Sequence, residues 1–193
     1  MNIRSLIGTD DLPRRTFTVA EVERMGEVGL IRDDERVELI GGELVPMNAK
    51  GSRHETLKLE IMLRWGDQRP PSHAFIPETT LRLAPDTFLE PDFLVFARET
   101  ALRDLGADTV LLAVEISDSS LGFDLGVKSL IYAHFGIREL WVIDVMGMVI
   151  HVHRDPAGDR YRSITPWHID DLVVPAFAPS AFALRLADLH IGE

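Results

Sequence analysis

Apolar and polar positions change period several times along this chain, and each change marks an element. In FTVAEVERM, Thr18 and Glu21 have capping-box spacing and Phe17 can staple onto Val22, which predicts a capped helix. RVELIGGELVPM is two short strand-like runs around Gly41-Gly42, the pattern of a β-hairpin. In that register Ile40 faces Glu43 and Glu38 faces Val45. Period-two geometry then puts Glu38 and Glu43 on one face and Val37, Leu39 and Leu44 on the other. HETLKLEIMLRW carries Leu57, Ile61 and Trp65 at helical spacing, with His54 at the head of the stripe.

Further on, AFIPETTLRLA and PDFLVFA read as strands separated by the turn-like Pro85-Asp86. Residues 98–108 are charged and fit a short helix or loop. TVLLAVEIS is too continuously aliphatic for a surface strand, so it is expected near the centre of a sheet. DLGVKSLIYAHFG reads as a helix stopped by Gly136. ELWVIDV and MVIHVHR follow as strands around Met146-Gly147, and DPAGDR turns the chain into YRSITPW. The tail LVVPAFAPSAFALRLADL is apolar but broken by prolines. With no repeat and no linker, this order predicts a single domain of α/β (α+β) class built on a mixed sheet.

Composition narrows the chemistry. Apolar residues make up 46% of the chain and charged ones 26%, as in an ordinary globular protein. No apolar run approaches the roughly 18 residues that a membrane span needs, and the start lacks a signal-peptide core, so a cytoplasmic protein with no membrane partner is expected. The absence of cysteine excludes disulfides, thiolate metal sites and cysteine nucleophiles. A net charge of −11 opposes nonspecific coating of nucleic acid, although Arg53, Lys58, Arg64 and Arg69, with Arg98 and Arg103, leave room for a local basic groove or for solvated faces. Walker and dinucleotide-type glycine loops and a GxSxG elbow are missing.

Two acidic residues stand where apolar ones would pack better: Asp92 after Pro91, and Glu115 inside LLAVEI. A buried ionised carboxylate needs a cation or several donors. Should their strands be neighbours, the pair could converge on one Mg²⁺, which takes a few carboxylate oxygens and keeps waters for exchange. The plainer alternatives are a turn or capping role for Asp92 and an ion pair with a core-facing arginine for Glu115. Lys128 lies four residues after Asp124, on one helix face, with Tyr132 a turn further. It is either a surface partner of Asp124 or a cation returned to the site by the helix that follows the Glu115 strand. His54 fits a half-buried histidine at a helix start or a site residue near Glu43. His151 and His153 alternate on a strand and could ligate metal, though an exposed edge strand explains them more cheaply.

Taken together, RVELIGGELVPM, Arg53-His54, EPDFLVF, AVEISDSS, Asp124 with Lys128, Tyr132, GIRELWVID and the closing ADL resemble the Uma-two family of candidate restriction endonucleases, in the PD-(D/E)XK nuclease superfamily. The likeness runs from about residue 17 to 189. It implies an N-terminal extension over 1–16 and a nuclease domain over 17–193, with a restriction-endonuclease-like mixed sheet flanked by helices. It also implies Mg²⁺- or Mn²⁺-dependent hydrolysis of phosphodiester bonds in DNA; cutting both strands with one site per chain would favour a homodimer. By the same resemblance Asp92 and Glu115 are metal-binding carboxylates, Glu43 is a further acidic ligand, Lys128 is the displaced catalytic lysine, and His54 is an additional site residue. Glu38 and Asp124 match supporting acidic positions. The chain departs from the pattern at Ser117, where the superfamily has lysine, and in Ser117-Asp118-Ser119, where the family has Ser-Pro-Ser.

Overall fold

The computed structural model describes residues 15–32 and 34–190. Of the expected N-terminal extension only Arg15 and Thr16 fall in that range; the rest of it lies outside the described residues. The chain runs α1 (Val19–Glu27), β1 (Val37–Ile40), β2 (Glu43–Pro46), α2 (Ser52–Gln68), β3 (His73–Pro77), β4 (Leu81–Ala84), β5 (Thr87–Leu89), β6 (Phe93–Ala97), β7 (Val110–Ser117), α3 (Leu121–Phe123), a π-helical turn (Asp124–Lys128), α4 (Ser129–His134), β8 (Glu139–Asp144), β9 (Val149–Ala157) and β10 (Arg160–His168). Two compact units divide it. The smaller takes the chain through Met47 together with Ala84–Phe88, and the larger takes Asn48–Leu83 and Leu89 onward.

In the smaller unit the capping box forms as expected. Thr18 Oγ1 accepts the Glu21 N–H at 3.3 Å, and Glu21 accepts the Thr18 N–H at 2.9 Å. Phe17 packs with Val22, Val19, Leu39 and Phe88. The hairpin keeps the predicted register, with Ile40 opposite Glu43 and Glu38 opposite Val45. Its turn has φ of 56° at Gly41 and 82° at Gly42, the left-handed pair that a two-residue hairpin demands. A Cβ on Gly42 would also stand 2.5 Å from Thr16 Cβ, so glycine is required there twice over. β1 lies between β2 and β5, Leu39 facing Phe88. The three-residue β5 was not foreseen, because TFL is too short to show a period.

The larger unit is built on a six-stranded sheet in the order β10-β9-β8-β7-β6-β3. TVLLAVEIS is interior, as its composition required. Neighbours are antiparallel except β7 and β8, which run parallel with Glu115 beside Val142. A parallel pair cannot be closed by a tight turn, so residues 118–138 must cross a face of the sheet. That crossover contains α3, the π turn and α4. On the opposite face α2 lays Leu57, Ile61 and Trp65 against Phe93, Val95, Leu112, Val114, Ile116 and Trp141, and the tail adds Val173, Phe182 and Leu184. Trp65 meets Phe93 and Phe182 edge-on, each at 5.4 Å.

β9 is an interior strand, which corrects the edge-strand reading of its histidines. His153 is buried, its ring 5.5 Å from that of Tyr161 and its Nδ1 3.1 Å from the His151 carbonyl oxygen. Burial and the neighbouring His151 push its pKa down, against the backbone hydrogen bonds.

Glu139, at the start of β8, is fully buried. Its carboxylate accepts from Trp141 Nε1 at 2.9 Å, from both Arg154 Nε at 2.9 Å and the adjacent guanidinium nitrogen at 2.6 Å, and from the Ala176 N–H at 2.7 Å. It ties the tail to the sheet. Glu139→Ala strands an arginine and a backbone N–H, and is expected to lower the unfolding free energy by about 3–5 kcal/mol. Denaturant titration measures this, and an unchanged midpoint would remove the latch from the account.

Candidate functional site

The register that sets Phe93 opposite Val114 places Asp92 one rung further, level with Glu115. Asp92 is buried. Its Oδ2 accepts the backbone N–H of Ile116 at 2.7 Å, so the side chain is tied directly to the end of β7. Its Oδ1 lies 3.0 Å from His54 Nε2 and 2.7 Å from Lys50 Nζ. His54 is buried in the first turn of α2, ahead of the apolar stripe that pins that helix to the sheet. The sequence expectation of a half-buried histidine becomes a buried one that orients Asp92.

Glu115 points to the crossover side. Its Oε1 receives Lys128 Nζ at 3.1 Å and the Tyr132 hydroxyl at 2.6 Å. The side chains of Glu115 and Lys128 are only 5% and 7% exposed, which overturns the surface-pair reading of Lys128. The cation seen on it is the lysine thirteen residues on. Lys128 Nζ is 3.9 Å from Asp124 Oδ1. The intervening backbone is π-helical rather than α-helical, so the one-turn α spacing assumed from sequence is replaced by a wider turn.

Ser117 stands where the superfamily has lysine. Its hydroxyl donates to Asp124 Oδ2 at 2.7 Å, and Ser120 Oγ donates to the same oxygen at 2.5 Å. Ser117, Asp124, Lys128 and Glu115 thus form one buried polar chain. Asp118, in the position of the family's proline, has its carboxylate over Gly51: a Cβ there would meet Asp118 Oδ2 at 2.6 Å. Gly51 is the N-cap of α2 and offers no side-chain acceptor, so this anion faces the positive end of the helix.

The lysines and glutamate that surround Asp92 were not legible as a network in the sequence. Lys50 bridges Asp92 and Glu78 Oε1. Lys58 joins Glu78 Oε1 at 2.9 Å to Glu55 Oε2 at 2.7 Å. Lys50 follows no period, and Glu78 occupies a backbone conformation, φ 49°, that glutamate rarely adopts. Lys58, one of the residues that sequence leaves to a basic groove or a solvated face, has a side chain only 12% exposed. Burial opposes the charge on Glu78, but the hydrogen bonds and charges of Lys50 and Lys58 outweigh it and lower its pKa to about 2. Burial likewise opposes the charge on Asp92; the hydrogen bond and charge of His54, with those of Lys50, hold it well below the usual carboxylate range.

Glu38 and Glu43 belong to the smaller unit, Glu38 buried on β1 and Glu43 exposed on β2. Of the basic residues, Arg53 reaches Met146 Sδ at 2.8 Å and Arg64 reaches Asp188 at 3.5 Å. Among the described residues no group of three or more His, Asp or Glu side chains is placed to hold a metal ion, and this includes the His151 and His153 region. Asp92 and Glu115 remain as two carboxylates on adjacent strands. Two hard oxygen donors suit Mg²⁺ or Mn²⁺, which complete their shells with water.

The charge network carries a pH signature. Asp92 and Glu78 have folded pKa values below their unfolded ones, so the stability they supply is present above about pH 4.5 and is lost as pH falls toward about 2. Thermal unfolding between pH 7 and pH 2 should fall most steeply in that window. Glu78→Gln should start lower at pH 7 and show a shallower decline; parallel curves for the two proteins would contradict the assignment.

A family model described as "Uma2: Putative restriction endonuclease" matches residues 19–187. No curated protein matches. Among solved structures, the chain is similar to a crystal structure from Anabaena variabilis titled as a "putative nuclease belonging to DUF820", with a TM-score of 0.70 and 18% identity, over 89% of this chain and 96% of that one. That likeness is one of fold: a mixed α+β architecture shared at low identity. With the match spanning nearly all of its length, the chain belongs to the Uma2 family.

Proposed function

We propose that this protein is a metal-dependent endonuclease that hydrolyses phosphodiester bonds in DNA. What supports the reading is that Asp92 and Glu115 lie level at the ends of neighbouring strands, with the Lys128 ammonium 3.1 Å from Glu115. Asp92 and Glu115 would hold the divalent cation. When bound, that cation polarises a phosphoryl oxygen and lowers the pKa of water.

The chain's own residues do the rest. Lys128 and Tyr132 fix the Glu115 carboxylate from the crossover side, and His54 fixes Asp92 from α2. Lys128 also brings a positive charge to the place where charge builds on the phosphoryl oxygens. The attacking water forms one P–O bond as the bond to the leaving sugar oxygen breaks, and the products are a phosphate monoester and a free hydroxyl. Cutting both strands with one site per chain calls for a homodimer, acting in the cytoplasm.

A second reading has its own support. Ser117 replaces the superfamily lysine, Asp92 is already neutralised by Lys50 and His54, and the chain carries −11. These features suit a nuclease fold retained as a nucleic-acid or protein binding module. Calorimetry separates the two readings. Mg²⁺ or Mn²⁺ binding that is lost in Asp92→Asn supports the enzyme, and binding of a partner without metal supports the module.

Supercoiled plasmid in Mg²⁺ or Mn²⁺ provides the direct test. The wild type should nick it, and Glu115→Gln and Lys128→Met should be slower by about 10²–10⁴-fold. Tyr132→Phe removes a hydroxyl donor to Glu115 and should cost roughly tenfold. Equal nicking by wild type, Glu115→Gln and Lys128→Met would identify a contaminant and end the proposal.

A further inference from the structure

Lys50 lies between β2 and α2, outside any helix or strand, yet its ammonium reaches the buried Asp92 carboxylate. The three donors on Asp92 differ in how firmly they are held. The Ile116 N–H belongs to a central strand, and His54 belongs to a helix anchored by Leu57, Ile61 and Trp65. Lys50 alone is carried by an irregular segment and a side chain with four rotatable bonds. Its side chain is 15% exposed, so it has a way out to water.

Glu78 forms the other wall of the seat. It follows β3, and its N–H donates to the Asp92 carbonyl oxygen at 3.2 Å while its φ of 49° places it in the left-handed region. Strain of that kind persists where surrounding contacts hold it, and it concentrates at functional sites. Here it sets a second carboxylate against the ammonium that Asp92 binds. Lys58 also binds Glu78, so Glu78 keeps a counter-charge if Lys50 departs.

We propose that Lys50 is an internal counter-cation that occupies the seat between Asp92 and Glu78, and that a divalent metal ion must displace it to bind Asp92. The proposal rests on the metal-dependent reading above and adds a control to it: loading of the metal and release of Lys50 are one equilibrium. A dication and an ammonium cannot share Asp92 Oδ1 in a poorly solvated position without strong repulsion. Removing the ammonium therefore removes a competitor. It also leaves Asp92 with the donors from His54 and Ile116, which keep the carboxylate in place.

Calorimetric titration of the full chain with Mn²⁺ tests this on wild type, Lys50→Met, Lys50→Gln and Lys58→Met. Loss of the competing charge should tighten Mn²⁺ binding by about tenfold or more in both Lys50 variants. Lys58→Met, which does not touch Asp92, should change it by less than about threefold. Wild-type protein gives a readout free of any substitution: acylation of the Lys50 amine, followed by mass spectrometry, should accelerate when Mn²⁺ is added, and that of Lys58 should not. Unchanged or weaker Mn²⁺ binding in the Lys50 variants, equal tightening in Lys58→Met, or a Lys50 acylation rate indifferent to Mn²⁺ would each overturn the proposal. Should wild type bind Mn²⁺ and only these differences fail, the nuclease reading survives. Should no variant bind Mn²⁺, both fall together.

Discussion

An ionised carboxylate taken out of water must be given donors or a cation, and the larger unit is arranged around meeting that demand at the ends of β6 and β7. Asp92 receives a backbone N–H from Ile116, an imidazole from His54 and an ammonium from Lys50. Glu115 receives Lys128 and Tyr132. Each donor comes from a different element, so the site exists only when α2, the crossover and the sheet are all in place. Glu139 repeats the solution at the start of β8, with Trp141, Arg154 and the Ala176 N–H. There the arrangement ties the tail to the sheet, which is why it reads as structural.

The parallel pairing of β7 and β8 decides which residues Glu115 can meet. Parallel neighbours need a long connection, and a connection that long must lie across the sheet. The crossover therefore carries Lys128 and Tyr132 back over the strand that the chain has just left. The π turn at Asp124–Lys128 keeps both charged side chains on the buried side. A lysine at position 117 would have supplied the same charge from the strand itself. With serine there, the hydroxyl instead holds Asp124, and the positive charge arrives from Lys128, thirteen residues after Glu115.

Much of this was legible before any coordinates. The Gly41-Gly42 hairpin, its register, the Thr18 capping box and the α2 stripe follow from local rules, because each depends on residues within a turn or two of one another. Glu115 stood out as a charge in an aliphatic run, and the need to neutralise it pointed forward to Lys128. Lys128 by itself was indistinguishable from a surface residue, since i, i+4 spacing is the same on a solvated helix and a buried one. His153 was misjudged for a similar reason: alternation locates a strand but does not say whether the strand is at an edge. Lys50 and Glu78 left no trace, and Lys58 showed only as one of a basic group, because nothing in a local pattern distinguishes a lysine that reaches a carboxylate in the fold from one that reaches water.

Sequence alone determined the fold class, the strand that would be central, and the two carboxylates that a core would not otherwise tolerate. Those follow from periodicity and from the cost of burying charge, both properties of short segments. Only the tertiary structure decided how the charges are shared out: Lys128 and Tyr132 to Glu115, Lys50 and His54 to Asp92, Ser117 to Asp124. These partners are brought together by strand order and crossover, over separations of seven to forty-two residues. Electrostatic pairing depends on distance in space, and the linear pattern does not encode that distance.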